Sequence, residues 1–268
     1  MGSGTSHGIP VIGCSCPVCT SPDPKDKRMR ASLYIEGDDG ERVVIDTGPE
    51  FRLQALRAGI SSLDAVFLTH AHADHTHGLD DIRSLSYKQE MPVYGNEKTL
   101  AEIKERFSYA FQNTQQGGGK PRIRLSPVSG PVQIGGLTLT PVPVKHGILD
   151  ILGWKITGAV NKNSFAVYLT DTSFIPSPSL ALIQSPEFLI VGGLRARPHE
   201  THFSFEQALS AGADIHARHV YLTHICHSHS HREITAICQR FQKMRNLRNL
   251  GFQNTVMEPG YDQMELVL

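Results

Sequence analysis

The stretch 69-THAHADHTHGLDD-81 decides how this chain is read. Between His70 and Leu79 stand four histidines and Asp74, and Asp80 follows at once. An apolar run, Ala65-Val66-Phe67-Leu68, leads into it, and a helical pattern leads away. Core packing has no use for so many imidazoles; a metal ion does. In an extended chain, residues two apart face the same side, so His70 and His72 can point at one ion just past a strand end. Asp74 and His75 come where the chain turns toward a helix and can reach a second ion nearby. Imidazole and carboxylate together suit zinc, iron or manganese.

A two-ion site needs more donors, and three stand at the ends of other predicted elements. His146 follows a strand over 137–144, Asp171 one over 163–169, and His224 one over 218–222. Donors collected from the same end of several strands are how layered α/β folds build sites. With the histidine loop they make a set of seven. A separate group, Cys14-x-Cys16-x-x-Cys19, holds three of the five cysteines. An odd count with this crowding argues for thiolates around a metal rather than a disulfide framework.

The 268 residues allow a large core, and 40 % apolar with 19 % charged residues is ordinary for a globular chain. Formal net charge is zero, so no general attraction to nucleic acid or anionic membrane is expected. Ten of the fourteen histidines lie in three groups, 70–77, 199–202 and 224–231. No apolar run approaches the roughly 20 residues that span a bilayer. The opening Met1-Gly2-Ser3-Gly4-Thr5-Ser6 has no signal-peptide pattern. The expected compartment is the cytoplasm.

Residues 1–30 read as loop. Alternation and turn residues predict strands at 31–36, 42–46, 65–69, 91–94, 121–128, 131–134, 137–144, 151–158, 163–169, 187–191, 218–222 and 263–267. Helices are predicted at 50–59, 79–87, 96–106 (capped by Asn96), 178–184, 204–213 and 230–244. A Gln/Gly-rich loop fills 112–120. Strands with helices set between them, in two similar halves, pack as layers with the helices outside. Residues 1–268 are expected to form a single domain, with the Cys loop at about residues 10–20 as its amino-terminal appendage.

His70-x-His72-x-Asp74-His75, with His146, Asp171 and His224 in that order, resembles the metallo-β-lactamase superfamily. The resemblance covers nearly the whole chain. It implies an α/β fold, a four-layer αββα sandwich with metals at the edge between two sheets. The stretch 2-GSGTSHGIPVIGCSCPVC-19 narrows it to the PhnP-type, phosphoribosyl 1,2-cyclic phosphate phosphodiesterase-like branch. In that branch Cys14, Cys16, Cys19 and a histidine three residues after the last catalytic-metal histidine, here His227, hold a structural zinc; Cys226, His229 and His231 stand close by as alternatives. Relatives begin with an apolar strand ahead of Gly2-Ser3-Gly4-Thr5-Ser6, and this sequence starts at Met1-Gly2 without it, so either the start is set late or the first strand is lost and the sheet edge weakened.

The segment 195-RARPHETHFSFEQAL-209 resembles the branch's P-x-x-x-H-x-(S/T)-x-x-x-A pattern. That implies His202 as general acid, with Asp74 both a ligand and a catalytic carboxylate. Arg195 and Arg197 could grip a phosphate or be solvated loop residues. Asp46, in Asp-Thr-Gly, would support the histidine loop by hydrogen bonding. The implied cofactors are two divalent ions, manganese or zinc, plus one structural zinc. The implied reaction is metal-assisted hydrolysis of a small phosphodiester, such as a cyclic phosphate ester, and relatives are often homodimers. Three rivals remain: a transfer-RNA 3′-end endonuclease, a thioester or β-lactam hydrolase, and a non-catalytic metal-binding protein. The first needs a basic arm for a polyanion, and many of the second place Cys at the position of Asp171. A scaffold has no need of an open site with an acid beside it.

Overall fold

The computed structural model describes residues 1–112, 119–160, 163–247 and 255–268. In chain order its first half runs β1 (Leu33–Glu36), β2 (Arg42–Ile45), α1 (Phe51–Arg57), β3 (Ala65–Phe67), α2 (Ala73–Thr76), β4 (Met91–Gly95), α3 (Glu97–Arg106), α4 (Ser108–Phe111) and β5 (Ile123–Pro127). Its second half runs β6 (Val132–Ile134), β7 (Leu137–His146), β8 (Leu149–Thr157), β9 (Phe165–Leu169), α5 (Ser177–Leu182), β10 (Phe188–Gly192), α6 (Phe205–Asp214), β11 (His219–Thr223), α7 (His231–Leu247) and β12 (Val256–Pro259).

Two sheets form, ordered β1-β2-β3-β4-β5 and β12-β11-β10-β9-β8-β7-β6. Period-two alternation assigns their faces. Val43, Ile45, Ala65 and Phe67 point into the layer between the sheets and meet Leu139, Trp154, Ile156 and Tyr168. Val44, Val66 and Val93 point the other way, under Phe51, Leu100 and Ile103 of α1 and α3. On the far side, Val167, Leu189, Val191, Val220 and Leu222 pack against Phe205, Leu209 and Ile234 of α6 and α7. Three apolar layers between four structural ones make the expected αββα sandwich. Trp154 is fully buried, its ring edge-on to Phe67 at 4.9 Å; such pairs add about 0.5–1.5 kcal/mol beyond burial.

Register sets where the loops emerge. β9, β10, β11 and β12 run parallel, with Gly192 level with Thr223 and Leu169 level with Val191. Their carboxyl ends therefore share one edge. Leu152 N on β8 donates to Thr69 O at 3.0 Å, tying the second sheet to the start of the histidine loop.

Three expectations are corrected. No strand forms at 263–267: Gln263 takes a left-handed φ of 66°, which breaks an extended run, and Asp262 is held by bonds from Ser3 N, Ser3 Oγ and Met29 N. The last strand is Val256–Pro259, parallel to β11. The helix at 79–87 is a 3₁₀ segment over Leu79–Ser84, and α4 was not expected. The loop at 112–120 falls largely outside the described residues. At the sheet edge in question, Gly2 bridges Ser32, and Gly4 bridges both Arg30 and Ile225. Among the described residues no helix is long and apolar enough to cross a membrane.

Candidate metal centre

The histidine loop is fixed from below by Asp46. Its Oδ1 accepts from Thr69 N and its Oδ2 from Thr69 Oγ1, each at 2.8 Å. Oδ2 also accepts from His75 Nδ1 at 2.7 Å. The Asp46-Thr47-Gly48 turn presses against the loop so closely that a Cβ on Gly48 would lie 2.3 Å from Asp74 O, and one on Gly78 2.1 Å from Gly48 O. Asp46, Asp171 and His224 all adopt left-handed backbone, with φ of 63°, 52° and 54°. For non-glycine residues this costs on the order of 1–3 kcal/mol each, and it persists where surrounding contacts over-determine the site.

The seven strand-end residues converge as two donor groups. Donor atoms of His70, His72 and His146 lie within 4.8 Å of one another, and so do those of Asp74, His75, Asp171 and His224. Asp171 links them: it groups with His146 and His202 at the same spacing, and its carboxylate lies 3.0 Å from His75 Nε2 and 3.2 Å from His224 Nε2.

The donor set fits divalent cations. His70 Nε2 and His75 Nε2 are buried without a hydrogen-bond partner. Carboxylate oxygens of Asp171 and Asp74 lie 3.0 and 3.2 Å from His75 Nε2. Outer bonds turn these rings inward: His75 Nδ1 donates to Asp46, and His146 Nδ1 donates to Thr201 O at 2.7 Å. The hydroxyl of Thr69, already donating to Asp46, accepts from His70 Nδ1 at 3.0 Å. Electrostatics agree. Burial would raise the Asp171 carboxyl, but the His224 and His75 rings hold it well below the usual range. Burial would lower His75, yet Asp171, Asp46 and Asp74 push it well above the usual imidazole range. A proton thus collects where a cation would displace it.

His202 lies over this centre. Its ring stacks on His224 at 4.9 Å, meets His146 at 4.6 Å, and brings Nδ1 to 3.6 Å from Asp171 Oδ1. Burial lowers its pKa to about 3, with Asp171 opposing and His224 and His146 assisting. Ser204 caps α6 in a reciprocal box with Gln207, and Phe203 N donates to Thr172 O, so the chain on either side is pinned. Arg195 donates to Pro198 O and Arg197 is exposed; neither joins a donor group.

The Cys loop closes on one partner. His227 Nδ1 lies 3.4, 3.5 and 3.4 Å from the sulfurs of Cys14, Cys16 and Cys19. Those spacings are near the ~3.6 Å edge of a tetrahedral zinc site. The Cys19 N–H pulls the Cys16 thiol below its ordinary range. Of the alternatives, Cys226 turns to Ser228 Oγ, His229 packs on Phe205, and His231 on Tyr261. Sequence reasoning missed what holds this loop. Arg28, fully buried, donates to Asp26 Oδ1, Cys226 O and His229 O, while Asp26 Oδ1 accepts from His231 N. Nothing in 24-PKDKRMR-30 distinguishes that pair from solvated loop charges.

Residues 41–225 match the family described as Beta-lactamase superfamily domain. Over its whole length the chain is similar to the crystal structure of a diphosphatase from the PhnP family, at 36 % identity, covering 95 % of that chain with a TM-score of 0.84. It is 41 % identical over 230 residues to an octanoyltransferase of Porphyromonas gingivalis, 85 % of this chain and 45 % of that protein. It is 27 % identical over 195 residues to ribonuclease Z of Pyrobaculum islandicum, 70 % of this chain and 61 % of that protein. The chain thus spans about half the length of these two curated relatives.

Proposed function

The chain belongs to the metallo-β-lactamase superfamily, in its PhnP-like branch, and from that premise we propose that it hydrolyses small phosphodiesters with two divalent ions. The observation that carries the proposal is the meeting of seven donors from four strand ends in two groups linked through Asp171. His70, His72 and His146 would hold one ion, Asp74, His75 and His224 the other, with Asp171 between. When bound, such ions acidify water toward neutral pH and neutralise charge on phosphoryl oxygens.

The chain's own groups do the rest. Asp46, Thr69 and Thr201 O fix the imidazole orientations, so the donors are ordered before substrate arrives. Asp74, its side chain 12 % exposed, doubles as ligand and acceptor for the proton of the attacking water. His202 would give a proton to the departing alkoxide from its imidazolium form, which the negative charge of a bound phosphodiester beside the ring favours. The Cys14, Cys16, Cys19 and His227 group would hold a zinc ion in a structural role.

A second reading is hydrolysis of a diphosphate, P–O–P bond, favoured by the 36 % identity to a diphosphatase across nearly all of both chains. The same donors serve both, because the bond broken differs only in its leaving group. The ribonuclease Z likeness points to transfer RNA, but a formally neutral chain has little general pull on a polyanion.

The test is a screen of metal-analysed protein against bis(p-nitrophenyl) phosphate, ribose and nucleoside cyclic phosphates, a dinucleoside diphosphate, precursor transfer RNA and an acyl thioester. Turnover of the cyclic or small diesters supports the proposal. Cleavage of the diphosphate, RNA or thioester alone overturns it in favour of that class, and no turnover with bound metal makes the chain a non-catalytic metal binder.

A further inference from the structure

Arg106 ends α3, three residues after the fully buried Ile103, and so lies at the rim of the helix's buried face. Its side chain is 35 % exposed, yet one end of the guanidinium turns onto the histidine loop. Nη1 donates to Ala71 O and to Thr76 Oγ1, the latter at 3.3 Å, while Nη2 stays 3.6 Å from Glu102 on its own helix. The Thr76 hydroxyl donates in turn to His72 O at 3.0 Å and Ala71 O at 3.4 Å. One guanidinium and one hydroxyl therefore hold two successive carbonyls of the backbone that carries His70 and His72.

That backbone has few other anchors: His72 O also accepts from His75 N at 3.1 Å. Asp46 secures its start at Thr69 and its far side at His75, but it touches neither Ala71 nor His72. α3 itself does not need Arg106 for its place: Leu100 and Ile103 are buried beneath it, and Asn96 caps it through Thr99 N at 2.7 Å. The arginine is spent on the loop, not on the helix.

We infer that Arg106 is a positioning residue for His70 and His72: by gripping the Ala71 peptide it sets both imidazoles toward one ion. The inference rests on the metal-site reading proposed above. Arginine suits the task because the two hydrogens of Nη1, fixed in the guanidinium plane, meet the carbonyl and the hydroxyl together, whereas a lysine ammonium rotates freely on a flexible stem.

The test uses full-length protein freed of metal and titrated with cobalt(II), whose visible bands report ligand geometry. In Arg106→Gln, affinity at the His70, His72 and His146 site, measured by chelator competition, falls on the order of 10–100-fold, with altered visible bands. Arg106→Lys loses less. The sulfur-to-cobalt charge-transfer band of the Cys14, Cys16 and Cys19 site stays unchanged in both, which shows the fold intact. Cobalt affinity within twofold of the wild type in the glutamine variant, or in the lysine variant should the other not fold, overturns the inference while leaving the metal site standing. A wild-type protein that takes up cobalt only at the cysteine site overturns the metal reading, and this inference with it.

Discussion

Asp46 Oδ2 accepts a hydrogen bond from His75 Nδ1 at 2.7 Å, with neither side chain exposed. The same oxygen receives the Thr69 hydroxyl, so one carboxylate orders both ends of the histidine loop. Asp46→Asn puts an amide where an acceptor is needed, and the His75 ring loses its fixed tautomer. Metal affinity falls by about 10–100-fold. Competitive titration checks this; unchanged affinity would leave Asp46 as a turn residue alone.

His202→Ala keeps both donor groups and removes the ring that covers them. Turnover of a diester with an alkyl leaving group drops on the order of 10²–10⁴. A p-nitrophenyl ester, whose leaving group needs no proton, loses much less. Metal content stays at the wild-type value. An equal loss on both esters would remove the general-acid role.

Cys16→Ser takes one of three sulfurs from around His227. Because a closed site of this kind binds only the folded chain, its metal contributes directly to stability. The variant carries one metal equivalent fewer and melts lower, by about 4 °C for each 2 kcal/mol lost in a chain of this size. Calorimetry with metal analysis is the check; an unchanged melting temperature contradicts it.

At the start of α7, Ser230 N donates to Glu233 Oε2 at 2.7 Å and Glu233 N donates back to Ser230 Oγ at 3.3 Å. Ser230's N–H and then its hydroxyl hold the Glu233 carboxyl below the usual range. A depressed acid stabilises above its unfolded pKa, about 4.3, and that contribution fades as pH falls through the folded value. Glu233→Gln therefore shows a flatter stability profile than wild type from about pH 5 downward, and Ser230→Ala costs about 1 kcal/mol at neutral pH. Denaturant titrations across that window decide it.

The site was legible because its donors are polar residues set just past apolar runs: His70 after Leu68, Asp171 after Leu169, His224 after Leu222. Period-two alternation fixes such strands, and a strand's end fixes where the next side chain emerges. What escaped the sequence is carried by backbone atoms or by distant charges. Thr201 orients His146 through its carbonyl, which any residue would supply. Arg28 and Asp26 are buried by segments about 200 positions away (|i−j| of 198 to Cys226). The misplaced last strand has the same cause. Residues 263–267 alternate well enough, but Val256–Pro259 finds a parallel partner in β11 and Asp262 is pinned to the amino-terminal segment.

The most direct measurement is the rate of bis(p-nitrophenyl) phosphate hydrolysis as Mn²⁺ or Zn²⁺ is returned to chelator-stripped protein. The account predicts no turnover in the stripped protein and a rate that rises until both donor groups are filled. It also predicts that the rise is abolished when Asp171, the residue shared between them, is replaced by alanine. Turnover that ignores added metal, or none at any metal concentration, would contradict it.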